Sequence, residues 1–463
     1  MQCRLIIPET VYRNALTTLL PGSGNEGLVF FIAGKYSGKD WFTLTVRDVL
    51  LPSAEDLVWT GTHGIELSDE AKVRVILKAR TEGLCLIEAH SHPGVRLGVT
   101  FSAYDWDNAR EFVPYVHLKL IGRPYGALVF GQESVDGYAW FPQCAQPVPI
   151  TEILVVGSRV NKVYPTSSIS DGGSSTDREM FDRQLRAFGG EGQVRLEKLR
   201  VGIVGAGGIG SLVTQQLVYL GVNNFSLIDD DTVETTNLNR LVGANRWDVS
   251  TAKVAVLGRL IQTVSPLAKV NAIRANVREP RSIQAVSDVD VIFGCTDSDS
   301  SRLILNELAT SLGIPYVDTA TGIESIDGRV QEAGGRVVVV VPDFSCLLCS
   351  QEIDLKEAHD ELTSPEELEF RRSRGYASEN IESPSVISLN GVMASLAVTE
   401  FLAMTTGIKG TVPCLYYYAD KNSLRVRRWM RDPKCLSCAN RGVGDQARFE
   451  RYSSKDLPVD LPN

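Results

Sequence analysis

The sequence is short of positive charge. Its 463 residues hold 47 Lys and Arg against 56 Asp and Glu, a formal net charge of −9, and the sequence pI is near 5.3. A chain that is acidic overall lacks the basic face that sequence-blind binding to DNA or RNA needs, so nucleic acid is excluded as a partner. No apolar stretch approaches the roughly 20 residues of a membrane span, so no membrane is expected. The opening MQCRLIIPETVYRN lacks the basic-then-apolar layout of a secretory signal, and the chain reads as cytoplasmic. No internal repeat of fixed period occurs. Histidine is scarce, five residues in all, yet two of them lie two positions apart at His90 and His92. Cysteine is odd in number at nine, with four in two C-x-x-C pairs. In a cytosolic chain that pattern favours metal over disulfides. What remains, 43% hydrophobic and 22% charged residues, is ordinary for a folded protein. At about one to two hundred residues per domain the length predicts two to four domains.

The clearest break in composition is PTSSISDGGSST at residues 165–176, polar and rich in Gly and Ser, which reads as a flexible linker. Before it, residues 28–33, 42–51, 84–89 and 127–130 are apolar or alternating strands. Residues 68–81 are helical in pattern: Ser68 caps, Asp69 and Glu70 suit the first turn, and Val73, Ile76 and Leu77 share a face. From Val201 onward strands alternate with helices, the signature of a parallel sheet with crossover helices. Residues 351–380 are strongly charged and read as a long, solvated, mobile crossover. The tail after Arg441 is polar and reads as loose.

In the first segment, LCLIEAHSHPGVRLGVTFSAYDW, a buried-strand run delivers His90 and His92 at its end. Residues two apart on an extended chain point the same way, so both imidazoles can grip one metal ion. The loop that follows ends at Ser102, with Asp105 three residues on. A Ser at a helix cap and an Asp at the third helical position lie on one side of the first turn. Asp105 can thus serve as a third ligand, which would leave the fourth zinc position for water, as in a catalytic site. Taken alone, S-x-x-D is a capping box, and an H-x-H strand is a partly exposed pair. Together with Pro93 the set resembles the JAMM (MPN-type) metallopeptidases: an upstream Glu, then H-S/T-H-P, then S-x-x-D. The resemblance implies that Glu26, opening a strand in NEGLVFF, is the catalytic Glu, that Ser102 helps hold the oxyanion, and that His90, His92 and Asp105 bind a catalytic zinc. It also implies cleavage of a peptide or isopeptide bond after the C-terminal glycine of a ubiquitin-like protein. One departure is present: nine residues separate His92 from Ser102, two more than the family's usual count. The extra length falls in a Gly-containing loop and is expected to bulge without moving Ser102 or Asp105.

In the second segment, VGIVGAGGIG runs from a strand through Gly205, Gly207, Gly208 and Gly210 into a helix. Gly205 allows the tight turn, Gly207 lets phosphate approach the backbone and Gly210 permits close packing of helix on sheet. The next strand ends at Asp229, placed for ribose hydroxyls. To this point an NAD enzyme fits as well as an ATP enzyme. The stretch DDDTVETTNLNR, holding Asp229, Asp231, Asn237 and Arg240, and then Lys253, separates them, because a transferred phosphate needs its charge neutralised. Another buried strand ends in Cys295-Thr296-Asp297, where a carboxylate can hold magnesium. The ordered set, from Asp177 to about Cys438, resembles the ThiF/MoeB adenylyltransferases, the prokaryotic relatives of ubiquitin-activating enzymes. That resemblance implies that Asp229 binds ribose, that Asn237, Arg240 and Lys253 hold the phosphates of ATP, and that Asp297 binds Mg2+. It implies too that Arg183 reaches the partner's ATP in a homodimer.

Cys346-Leu347-Leu348-Cys349 and Cys435-Leu436-Ser437-Cys438 form a four-cysteine set. Four filled positions mean a closed, structural zinc. No cysteine lies between Ser350 and Pro413, where activating enzymes that form a thioester place theirs. The fold expected is α/β: an N-terminal JAMM-type metallopeptidase domain at 1–164, the linker at 165–176, a Rossmann-like adenylyltransferase domain with a structural four-cysteine zinc at 177–442, and a polar tail at 443–463. The function expected is ATP-dependent adenylation of the C-terminal carboxylate of a ubiquitin-like or sulfur-carrier protein, with a peptidase that trims or releases the same protein. A separate cysteine-bearing carrier enzyme is an optional partner. The alternatives are direct amide or thiocarboxylate formation on a small acceptor, and a first domain that serves only as a docking scaffold.

Overall fold

The computed structural model describes residues 2–22, 24–62, 64–168, 177, 179–373 and 384–452. They divide into two compact units. One comprises Met1–Gly173 with the segments Ser311–Gly313 and Arg441–Ala447, and the other comprises Ser174–Thr310, Ile314–Asn440 and Arg448–Asn463.

Among the described residues the first unit holds ten strands: β1 (Gln2–Pro8), β2 (Leu28–Ser37), β3 (Trp41–Leu50), β4 (Leu57–Gly61), β5 (Gly64–Leu67), β6 (Cys85–Ser91), β7 (Tyr125–Phe130), β8 (Val135–Trp140), β9 (Val148–Val156) and β10 (Val160–Val163). Eight of them form one mixed sheet in the order β1-β3-β2-β6-β7-β8-β9-β10, and β1 pairs also with β9, so the sheet closes on itself. Strands β4 and β5 form a separate hairpin. Alternation along a strand sends odd and even residues to opposite faces. Val29, Phe31, Ala33, Cys85, Ile87 and Ala89 therefore join a core with the helix Glu9–Leu19. Leu28, Phe30 and Leu86 join a second core under the helices Asp69–Glu82 and Ala103–Lys119. That second face is where the even-numbered His90 and His92 must look.

Ser68 caps the helix Asp69–Glu82 as expected, accepting from Ala71 N at 3.3 Å. The expected apolar face is corrected. Val73 and Leu77 are 42% and 51% exposed, and the buried stripe is Ala71, Val75, Ile76 and Ala79. Two alanines let the helix lie close on the sheet, and size-weighted patterning overlooks them. The linker reading is corrected at its start: Thr166–Ser168 is a short turn in which Ser167 donates from N and Oγ to Asp136 Oδ1 at 3.1 and 2.6 Å. Residues 169–176 lie outside the described residues.

The second unit holds β11 (Arg200–Val204), β12 (Asn224–Ile228), β13 (Lys269–Ile273), β14 (Val291–Gly294), β15 (Tyr316–Ile326), β16 (Arg329–Val340), β17 (Cys414–Tyr418) and β18 (Ser423–Arg427). The sheet order is β13-β12-β11-β14-β15-β16-β17-β18, parallel from β13 to β15 and antiparallel beyond. The chain leaves β11 toward β12 on one side and returns to β14 on the other. Such a reversal opens a crevice at the carboxyl ends of the strands, where open α/β sheets bind ligands.

Three sequence expectations change here. The charged crossover carries two helices, Leu355–Leu362 and Pro365–Ser373, the first burying Ala358 and Leu362; residues 374–380 lie outside the described residues. The tail is packed as far as Tyr452, with Val443, Ala447, Phe449 and Tyr452 buried and Arg451 paired with Glu307; residues 453–463 lie outside the described residues. The helix Ile387–Thr406 is long and apolar enough to cross a membrane by length and composition, although no such stretch was expected. Small residues interleaved with large ones hid it. It packs on the helix Gly208–Tyr219 and on β15 and β16, and it buries Glu400, which Lys409 pairs.

The revised helix face is testable by denaturant unfolding of the full chain. Ile76→Ala should cost about 2–5 kcal/mol, as for a buried aliphatic side chain. Leu77→Ala should stay within about 0.5 kcal/mol.

Candidate functional site

Among the described residues three clusters of chemistry-bearing side chains form, one in the first unit and two in the second. In the first, β6 pairs antiparallel with β2 in a register that sets His90 opposite Leu28. Ser91 points to the other face, where its Oγ accepts from Gly27 N at 2.9 Å and donates to Leu19 O. His90 and His92 thus share a face, their ring centroids 5.1 Å apart. Ser102 caps the helix Ala103–Lys119: Ser102 Oγ accepts from Asp105 N at 3.2 Å and Asp105 Oδ2 accepts from Ser102 N at 2.6 Å. The same carboxylate faces both imidazoles, with Oδ1 3.2 Å from His90 Nε2 and Oδ2 3.4 Å from His92 Nε2. The longer loop between His92 and Ser102 has not displaced Asp105.

Electrostatics tie this cluster together. Burial alone would raise the Asp105 pKa, but its bonds to the two histidines hold it well below the usual carboxylate range. Burial would lower the pKa of His90, yet Asp105 beside it, and Glu88 and Glu26 farther off, push it up. Glu26 is buried just before β2, its N donating to Gly61 O at 2.8 Å and its O accepting from Thr60 Oγ1 at 3.1 Å. The donor set suits zinc. Two imidazole nitrogens and one carboxylate oxygen lie within 4.8 Å of one another, and His90 Nε2 is buried with no hydrogen bond of good geometry. Sequence reasoning passed over Glu88, on the same face as His90, whose Oε2 accepts from Tyr125 OH at 2.9 Å and whose pKa burial raises.

In the second unit the glycine-rich turn follows β11. Gly205 has φ +93°, a left-handed conformation, and a Cβ there would stand 2.5 Å from Cys295 O. A Cβ on Gly210 would stand 1.9 Å from Gly205 O, and one on Gly208 would stand 2.4 Å from Asn390 Nδ2. Gly207 opens on empty space at the N-terminus of the helix Gly208–Tyr219, a cradle that suits a phosphate. Asp229, at the end of β12, takes Ala206 N on Oδ2 at 2.6 Å and Asp231 N on Oδ1 at 2.8 Å. Burial raises its pKa, against the charge of Lys253. Lys253 Nζ lies 2.7 Å from Asp231 Oδ2.

Asn237 Oδ1 accepts from Glu234 N at 3.1 Å within a short turn, and Arg240 donates to Thr236 O at 2.7 Å. Asp297, just beyond β14, is exposed, as is Arg183 on the helix Asp182–Lys198. The turn, Asp229 and Asp297 thus follow the carboxyl ends of the adjacent strands β11, β12 and β14. Sequence reasoning missed Asn390, buried on the helix Ile387–Thr406, where Oδ1 accepts from Thr321 Oγ1 at 3.1 Å. A lone Asn in an apolar stretch was its signal.

The four cysteines of the two C-x-x-C pairs meet. Sγ separations are 3.7 Å for Cys346–Cys349 and 3.5 Å for both Cys346–Cys435 and Cys349–Cys438. Tetrahedral zinc with Zn–S of about 2.3 Å would set neighbouring sulfurs about 3.8 Å apart, so the cluster suits that ion. Asn306 braces both loops, its Oδ1 accepting from Leu347 N at 2.9 Å and its Nδ2 donating to Ser437 Oγ at 3.2 Å.

The tight turn predicts a sharp intolerance. Gly210→Ala should lower the unfolding transition of the full chain, because a Cβ there meets Gly205 O and the helix can no longer start over β11. Gly207→Ala, into open space, should leave the unfolding transition unmoved. Equal melting behaviour of both variants would contradict the geometry.

Comparison with known proteins agrees with the second unit. Residues 181–438 match the model of the ThiF family. The SAMP-activating enzyme E1 of Haloferax volcanii is 32% identical over 291 residues, 62% of this chain and 99% of that one. The sulfur carrier protein adenylyltransferase of Thermus thermophilus is 34% identical over 158 residues, 33% of this chain, and the match spans little more than half of its own length, 58%. A crystal structure of E. coli MccB with ATP aligns over 57% of this chain and 76% of that chain, at 21% identity and a TM-score of 0.45. With the family model matched over more than half of its length, and one relative matched almost whole, the chain belongs to the ThiF family.

Proposed function

We propose that the region 177–442 adenylates the C-terminal carboxylate of a ubiquitin-like or sulfur-carrier protein, using ATP and magnesium. The observation that carries this reading is the gathering of the glycine-rich turn, Asp229, Lys253 and Asp297 at the carboxyl ends of parallel strands in a ThiF-family chain. The relatives' names, an activating enzyme E1 and a sulfur carrier protein adenylyltransferase, point to the same chemistry in those proteins.

The backbone N–H groups of the turn through Gly205, Gly207, Gly208 and Gly210 cradle phosphate. Each Asp229 oxygen already takes one backbone N–H and keeps a second lone pair for a ribose hydroxyl. Asn237, Arg240 and Lys253 hold the phosphates, Lys253 exchanging Asp231 for the nucleotide. Asp297 holds magnesium, which when bound neutralises phosphate charge. The carrier's carboxylate oxygen attacks the α-phosphorus, the bond to the bridging oxygen breaks, and pyrophosphate leaves with the electron pair. An acyl-adenylate remains. Arg183 acts across a cytoplasmic homodimer, and the four-cysteine cluster holds a structural zinc.

Four of the five cysteines outside the two C-x-x-C pairs are poor acyl acceptors. Burial pushes Cys3, Cys85 and Cys414 up to about 12 and raises Cys295 further. The fifth, Cys144, is exposed and lies outside the region 177–442. The acyl group therefore passes directly to an outside nucleophile or to a separate cysteine-bearing carrier enzyme. Lys253→Ala or Asp297→Ala should abolish ATP–pyrophosphate exchange driven by the carrier. A non-reducing gel of the wild-type reaction should lack a thiol-sensitive adduct. Exchange unchanged in both variants would sink the assignment.

We infer that the region 1–164 is a JAMM-type zinc peptidase acting on the same carrier. His90, His92 and Asp105 hold the ion, which when bound supplies a water with a pKa of about 7. Glu26 would act as general base and acid, taking up a proton and returning it to the leaving amine, and Ser102 would help hold the oxyanion. The carboxylate that meets both imidazoles supports this reading. Purified protein should contain two zinc ions per chain, falling to one in a His90→Ala, His92→Ala double variant. Glu26→Gln should stop cleavage of a tail beyond the carrier's last glycine and leave activation of trimmed carrier unchanged. One zinc in the wild type would leave the first unit a docking scaffold.

A further inference from the structure

The crossover helix Leu355–Leu362 reaches back to the loop that carries Asp297. Glu361, in its last turn, accepts Ser298 Oγ at 2.5 Å and Ser300 N at 2.8 Å on Oε2, and Asp299 N at 3.3 Å on Oε1. At the other end of the same helix, Asp354 N donates to Asp299 Oδ2 at 2.8 Å. From the opposite side Arg302 donates to Thr296 O at 2.9 Å and to Asp299 Oδ1 at 2.6 Å. Ser298 N donates to Thr296 Oγ1 at 3.1 Å, closing the loop on itself. The residues on both sides of Asp297 are thus fastened, while Asp297 itself is exposed.

A plain structural account is that Glu361 caps the helix Asp299–Leu312, whose first N–H groups need acceptors. Two features go beyond a cap. Ser298 already supplies a local cap, its Oγ accepting from Ser301 N at 3.1 Å, and Glu361 is added to it by accepting the same hydroxyl's proton. The acceptor also comes from a segment 63 residues farther along the chain. The crossover therefore adds to the loop a fastening that its local bonds do not supply. A carboxylate that must hold a cation gains affinity when its backbone is fixed before the ion arrives.

We propose that Glu361 is a positioning residue for Asp297, fixing the loop from which that carboxylate takes magnesium beside the nucleotide. The proposal rests on the role given to Asp297 above. It is tested by calorimetric titration of the full-length chain with ATP, with and without magnesium, a measurement that needs no carrier protein. In wild type, magnesium should tighten ATP binding. Glu361→Ala should weaken ATP binding about tenfold with magnesium present and leave it unchanged without the ion. Glu361→Gln, which keeps the size and one acceptor oxygen, should fall between and decides the matter if the alanine variant does not fold. Asp297→Asn serves as the reference and should lose the magnesium effect altogether. If Asp297→Asn loses that effect and both Glu361 variants keep it, Glu361 is a helix cap only and the proposal fails. Equal weakening with and without magnesium would also overturn it, since that marks general loosening. If Asp297→Asn keeps the full effect, the role of Asp297 is wrong and the proposal falls with it.

Discussion

The carbonyl oxygen of Gly205 lies where a Cβ on Gly210 would be, 1.9 Å away, and much of the second unit depends on that bare contact. Because the turn closes so tightly, the helix Gly208–Tyr219 starts directly above the end of β11 and leaves the space at Gly207 open. Neighbouring strands then bring their own ends to the same place. Asp229 leaves β12 close enough to take Ala206 N, and Cys295 leaves β14 close enough to forbid a side chain at Gly205. A cleft at a sheet's reversal point is a general property of such folds. Here its width is set by the absence of two methyl groups.

In the first unit the bland reading and the functional reading of one motif turn out to be the same geometry. Ser102 and Asp105 make a capping box, as S-x-x-D commonly does. The oxygen that accepts Ser102 N is also the one that faces His92, and its twin faces His90. The cap is what aims the carboxylate. A helix N-terminus also favours negative charge in its first turn, so the backbone supports the anion that two imidazoles need.

What the sequence made legible is what leaves a local or periodic trace. Alternation along residues 84–89 was enough to put His90 and His92 on one face, and glycine spacing was enough to place the turn after β11. The helix Asp69–Glu82 was found, but its buried stripe was misjudged because Ala71 and Ala79 bury little area and yet decide which side can approach the sheet. The charged run after residue 351 looked solvated because charge alone does not say where a carboxylate ends. Glu361 finds its partners 61 to 63 residues away, and Asn306 finds Ser437 at a separation of 131. Contacts of that kind leave no pattern in either segment. The tail through Tyr452 was hidden for a related reason, since it buries isolated side chains and not a run.

The four-cysteine cluster has a consequence in time as well as in space. Its two pairs are 89 residues apart, and the chain between them contains two crossover helices, the long helix Ile387–Thr406 and the last two strands of the sheet, β17 and β18. Asn306 can grip Leu347 as soon as the first pair has been synthesised, but its other partner, Ser437, sits inside the second pair. Ribosomal synthesis therefore yields the parallel strands β11 to β15 well before the cluster can close, and the helix Asp299–Leu312 waits with one of its two braces missing. Closing so long a loop carries an entropic cost that grows only slowly with length. Closure of the cluster is thus slow to become possible, though not much harder to complete.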